Sequence, residues 1–233
     1  MKDRCRGGKI AATEAMKYYI YISDAKVDML FPQVPHEIKK KVATEFKMDL
    51  KLLSASRKTE TESEDNRIAR LEAVVDFVRE YGNLGTVDKP DQYVEDILPM
   101  RWGPYEDGLV YFGALTEQTT AGLGGSLKHV MGNNEGESMP FSHSATPALV
   151  KVLSKELKLQ DQQHEHRSRY AESTRDEAKI AVELATEQME GPLQTLDFLA
   201  KRLLYWEAIP PSERFPAQKC VLLATPLYVA MTD

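Results

Sequence analysis

The sequence predicts an α+β protein: a mixed or antiparallel β-sheet with a β meander, packed by helices, with a C-terminal helical segment and a final strand returning to the sheet. Three observations carry this. Tyr18-Tyr-Ile-Tyr-Ile22 is aromatic and β-branched on both faces, the pattern of a strand covered on both sides. From about Asp96 to Val130, short apolar runs alternate with turn formers. Elsewhere the apolar residues recur at helical spacing.

After the first strand, Asp24 is placed to cap a short helix carrying Val27, Leu30 and Phe31. Pro35 opens a second helix, in which Ile38, Val42 and Phe46 recur four apart and Lys39, Lys40 and Lys41 fall on the other side. A phosphate-binding face is one use for those lysines; a solvated helix face is the plainer one. Met48, Leu50 and Leu52 alternate with Asp49 and Lys51 as in a half-buried strand. The polar run Ser56–Asn66 crowds Glu60, Glu62, Glu64 and Asp65 but lacks the glycine and spacing of a calcium loop, so it reads as a solvated loop. Ile68, Leu71, Val75 and Val78 then form a helical stripe that stops at Gly82.

The meander comprises Ile97–Trp102, Leu109–Phe112 and Thr119–Leu123, with Gly103-Pro104 and Glu117-Gln118 as its corners. Asn133–Ser144 reads as a mobile loop. Thr146-Pro147 starts a helix through Leu149, Val152, Leu153 and Leu157. Lys158–Arg175 is an exposed linker or helical extension, and two amphipathic helices follow, Asp176–Met189 and Pro192–Trp206. The second takes its stripe from Leu193, Leu196, Leu199 and Leu203. Cys220–Val229 is the closing strand, with Pro226 marking an edge or a bulge.

The length of 233 residues, with 42% apolar and 28% charged side chains, fits one folded domain from residue 16 onward, with a helical segment at about 145–206. Residues 1–15 have no apolar period and read as a mobile tail or an upstream misread start. A net charge of -6 argues against a nucleic-acid partner. No apolar run reaches the roughly 20 residues of a membrane-spanning helix, and the charged start has no apolar segment directly behind it. Two cysteines at opposite ends, Cys5 and Cys220, make no disulfide framework. A cytoplasmic location is the resulting expectation.

Four groups invite chemistry. In Ala121-Gly-Leu-Gly-Gly-Ser126-Leu-Lys-His129, Gly124 and Gly125 would let backbone amides approach an anion, with Ser126 and Lys128 beside them. The order fits neither a P-loop nor a dinucleotide fingerprint, and a glycine bulge or tight bend is the plainer reading. Ser126 and His129 suggest a nucleophile and base, for which no orienting acid is assignable. His164 and His166, with His143 upstream, offer imidazoles for a metal, although they sit in the most polar stretch, and no metal site is expected. Arg101 and Trp102 with Tyr105 beyond Gly103-Pro104 put cationic and aromatic groups at a turn, fit to rim a pocket or to pack a core.

These stretches carry a resemblance. Tyr18–Pro35, Leu50–Glu80, Leu98–Tyr105, Gly122–Ser126 with His129, and Thr225–Val229 resemble an uncharacterised, mostly actinobacterial family of domains of unknown function. The resemblance covers nearly everything after Met16. It implies no catalytic residue and no cofactor, and it makes the first fifteen residues look like an extension.

The leading functional expectation is a non-catalytic small-molecule-sensing or protein-interaction module, its pocket lined by Arg101, Trp102, Tyr105, Gly124, Gly125, Ser126 and His129. A structural or regulatory subunit that assembles through its C-terminal helices, as a homo-oligomer or on a partner protein, is the second. A hydrolase or phosphate-ester-handling enzyme centred on Ser126, Lys128 and His129 is the third, and it requires a carboxylate beside His129.

Overall fold

The computed structural model describes residues 17–47, 64–105, 108–132, 149, 152–153, 174–210 and 218–232. Its strands are β1 (Lys17–Ile22), β2 (Leu84–Gly85), β3 (Tyr93–Tyr105), β4 (Leu109–Leu115), β5 (Thr119–Ser126), β6 (Gln194–Trp206) and β7 (Cys220–Thr232). The helices are α1 (Asp24–Leu30), α2 (His36–Glu45), α3 (Glu64–Tyr81) and α4 (Thr174–Glu187). Residues 1–16, the alternating run 48–52, the carboxylate-rich stretch 56–63, the loop 133–144 with His143, and the linker 158–173 with His164 and His166 lie outside the described residues.

The meander β3–β4–β5 pairs antiparallel as its sequence predicts. β5 then pairs parallel with β7, β7 antiparallel with β6, and β6 antiparallel with β3. Five strands thus close on themselves as a barrel, which removes the open edges a flat sheet would present. β1 joins antiparallel to β7, and β2 joins parallel to β3.

Side chains from all five barrel strands meet in one cluster, including Val94, Met100, Phe112, Leu123, Phe198 and Ala224. The barrel is filled, as expected for so few strands. Two further layers lie outside it. α1, α2 and α3 pack Val27, Val42, Leu71 and Val75 on Leu199, Leu227 and Tyr228. α4, with Leu149, Val152 and Leu153, packs on Leu109, Tyr111, Val221 and Leu223.

Several sequence expectations need correction. Pro192–Trp206 does not hold a helix: residues 194–206 are the barrel strand β6. Leu196, Phe198 and Ala200 point into the barrel while Leu199 packs under the α1–α3 layer. A strand buried on both faces has no clean alternation, so leucines three apart imitate a helix stripe. The C-terminal helical segment therefore ends with α4. Gly103-Pro104 is not a corner either; β3 runs through it, Gly103 opposite Tyr111 and Pro104 opposite Val110. β6 leaves β3 at Met100, so Pro104 sits on a strand paired on one side, where a missing N–H is tolerated. Ser23, not Asp24, occupies the cap position of α1.

Pro226 does mark a bulge, in an interior strand: the β6–β7 register jumps from Leu199–Tyr228 to Ala200–Pro226. The stop of α3 holds as read, with Gly82 N–H donating to Val78 O at 2.8 Å.

Candidate functional site at a split in the sheet

One edge of β7 is covered along its length by β6, and the other is shared. β5 pairs with it as far as Leu123–Ala224, and β1 takes over from Ile22–Tyr228. Between these partners lie Thr225, Pro226 and Leu227, and β5 continues to Ser126 paired only with β4. Proline suits this place because it has no N–H to leave unmet. The sheet therefore splits where the carboxyl ends of β5 and β1 face each other.

The connections from both strands fold into the split. After β1, Ser23 N–H donates to Leu227 O at 2.8 Å, and Ser23 is fully buried. Lys26 Nζ donates to Ser23 Oγ at 3.1 Å and to Pro226 O at 3.0 Å. Burial pulls the Lys26 ammonium down to about 7. After β5, the 3₁₀ turn Leu127–His129 carries the chain back to β1, where Met131 N–H donates to Ile20 O at 2.9 Å. His129 is buried, its ring edge-on to Tyr21 at 6.0 Å.

A carboxylate does stand beside it. His129 Nδ1 lies 3.6 Å from Asp24 Oδ2, and Asp24 receives Nε and Nη2 of Arg67 at 2.9 and 3.1 Å. This two-pronged geometry fixes the carboxylate. One turn further along each helix, Arg70 Nη2 donates to Asp28 Oδ1 at 2.8 Å. Together the two pairs clamp α1 to α3.

The sequence candidates divide. Gly124, Gly125, Ser126 and His129 come together at the end of β5. Arg101, Trp102 and Tyr105 lie along β3 in three different surroundings. Trp102 faces the barrel interior, stacked on Phe112 at 5.7 Å, with Nε1 donating to Gln194 at 2.6 Å. Arg101 is outside, donating to Gly191 O at 3.0 Å. Tyr105 packs beside Tyr111 in the layer under α4. These seven residues do not line a single cleft.

The glycines of β5 answer a packing demand. A Cβ at Gly125 would overlap the Tyr21 hydroxyl, and one at Gly124 would overlap Leu149. The β4–β5 and β5–β7 ladders run without a register shift, so the glycine run is no bulge. Among the described residues no hydrogen bond joins Ser126 to His129. Sequence reasoning missed Asp24 as a partner for His129, and it missed Lys26 and Arg67 altogether. No local spacing links them, since Asp24 and Arg67 are 43 residues apart and Lys26 and Pro226 are 200 apart.

A second polar cluster lies on the outer sheet face. Lys17 Nζ bonds Asp197 Oδ2 at 2.8 Å and donates to the Tyr228 hydroxyl at 3.0 Å, and that hydroxyl donates to Asp197 Oδ1 at 2.8 Å. Burial, then the Asp197 carboxylate, pushes the Tyr228 phenol above its usual range. Tyr19 donates to Glu72, and Arg79 to Glu95. Lys17 with Asp197 and Arg79 with Glu95 are paired charges, while Glu72 is held by the Tyr19 phenol. Among the described residues, no three or more His, Cys, Asp or Glu side chains group so as to hold a metal, and no helix is long and apolar enough to cross a membrane.

The barrel with a split edge defines a class of architecture, and the family follows from comparison. A family model described as a family of unknown function, DUF7019, matches residues 17–233, and the chain belongs to that family. No curated protein and no solved structure matches the chain.

Proposed function

We propose that this chain is a non-catalytic ligand-sensing module that takes a small polar molecule at the split between β5 and β1. The observation that carries the reading is the gap on one edge of β7 between β5 and β1, where Lys26 reaches Ser23 and Pro226 and where His129, in the turn after β5, stands beside Asp24. Hydroxyl, amine and imidazole groups supply donors and acceptors together. The Asp24–Arg67 pair fixes the start of α1 against α3, giving the rigid support a selective site needs. A cytoplasmic setting, and work beside a partner protein, belong to the same proposal.

The test is a thermal-shift screen of polar metabolites on the wild type and on His129→Gln. Compounds that raise the wild-type melting temperature but not the variant's support the site. Equal shifts on both proteins place binding elsewhere.

A hydrolytic reading gains one supporting feature, the Asp24 carboxylate beside His129. Its weakness is that Asp24 is already held by Arg67, and that Ser126 is not hydrogen-bonded to the imidazole. Hydrolysis of simple esters that is lost in both Ser126→Ala and His129→Gln would revive it.

A further inference from the structure

We propose that Lys26 is a nucleophilic amine that anchors an aldehyde- or ketone-bearing small molecule as an imine. This rests on the binding site at the split and names the chemical class of its ligand.

The geometry around the amine is that of a neutral group. Lys26 Nζ has two hydrogen-bond partners, Ser23 Oγ and Pro226 O, and both are uncharged acceptors. A neutral amine has two N–H groups to donate and a lone pair left over, whereas an ammonium carries a third N–H that needs an acceptor. The nearest acids along its own helix are committed elsewhere, Asp24 to Arg67 and Asp28 to Arg70. From β7 the facing group is a peptide carbonyl, and from the β1–α1 corner it is a hydroxyl. Among the described residues no carboxylate forms an ion pair with Lys26.

Burial alone accounts for the fall of the ammonium to about 7, so a large share of the amine is unprotonated near neutrality. Lysines made reactive in enzymes are activated by the same desolvation. Lys26 as a whole residue is half-buried rather than fully enclosed. Next in the chain to Pro226, Thr225 buries its hydroxyl without a hydrogen-bond partner.

The chemistry balances without an added reactant. The Nζ lone pair attacks the carbonyl carbon and the C–O π bond opens. The oxygen takes up a proton that the nitrogen loses, giving a carbinolamine. The nitrogen then gives up its second proton, hydroxide leaves with it as water, and the C=N bond forms. Ser23 Oγ, 3.1 Å from Nζ, is placed to pass these protons.

The test uses the intact wild-type chain with propionaldehyde and cyanoborohydride, the modified lysines being located by peptide mass mapping. At pH 7, Lys26 is expected to be alkylated about tenfold faster than exposed Lys40 and Lys128. Its rate should level off above about pH 8. Ser23→Ala, checked for an unchanged melting profile, should slow trapping at Lys26 alone. A Lys26 that is unmodified, or that follows the same pH profile as Lys40, overturns the proposal. The thermal-shift screen reads non-covalent binding, so covalent failure with retained binding would remove the imine and leave the site standing.

Discussion

Asp24 stands between Arg67 and His129: its carboxylate takes two hydrogen bonds from the guanidinium and lies 3.6 Å from the imidazole Nδ1. It thereby ties the first residue of α1 to α3 and to the turn that ends β5. Removing one partner of such a pair leaves a partly buried charge without its counterion. Asp24→Asn and Arg67→Gln are each expected to lower stability by about 1–3 kcal/mol in urea titrations. The double variant should lose less than the sum, and additivity would show that the pair is not coupled.

Lys26 gives a pH signature. Its folded-state value of about 7 lies below the ordinary lysine value, so between the two the unfolded chain binds more protons than the folded one. The penalty for burying the ammonium is fully present below pH 7 and fades as the pH rises towards about 10. Lys26→Met should flatten the rise in melting temperature between about pH 7 and 9.5. Parallel wild-type and variant curves would contradict this.

The glycines of the meander are predicted to differ sharply. Gly125→Ala drives a methyl group into Tyr21 and should cost about 1–3 kcal/mol. Gly103→Ala meets nothing within 4 Å and should stay within about 0.5 kcal/mol of wild type by chemical denaturation.

β6 can be tested as a strand. A helical stripe through Leu193, Leu196, Leu199 and Leu203 would bury Leu193 and turn Phe198 outward, but here Leu193 lies before β6 and is 57% exposed while Phe198 and Leu199 are fully buried. Leu199→Ala should cost about 2–5 kcal/mol, and Leu193→Lys should change stability by less than about 0.5 kcal/mol. Similar costs at both positions would restore the helical reading.

Much of the architecture is legible before any coordinates. The stripe ending at Gly82 predicts α3 and the turn-broken runs predict the meander. Tyr18–Ile22, by contrast, read as a strand covered on both sides, is the end strand of the sheet, laddered among the described residues to β7 alone and with Tyr18 68% exposed. β6 is illegible because burial on both faces erases the period that separates strand from helix. Barrel closure follows from its pairing with both β3 and β7, so misreading that one strand hides the barrel. At the site, Gly125, Ser126 and His129 stand out through their types and proximity in the chain. Asp24 looks like a helix cap and Lys26 like a solvated lysine, because their partners arrive only when α3 and β7 pack against α1.

The most direct measurement of the central claim is native mass spectrometry of the wild-type chain and His129→Gln after incubation with the small-molecule fraction of a cell extract. The account predicts a reproducible added mass on the wild type, released on denaturation unless it is trapped at Lys26, and missing from a variant that melts normally. An added mass retained equally by both proteins, or none on either, would contradict a ligand site at the split between β5 and β1.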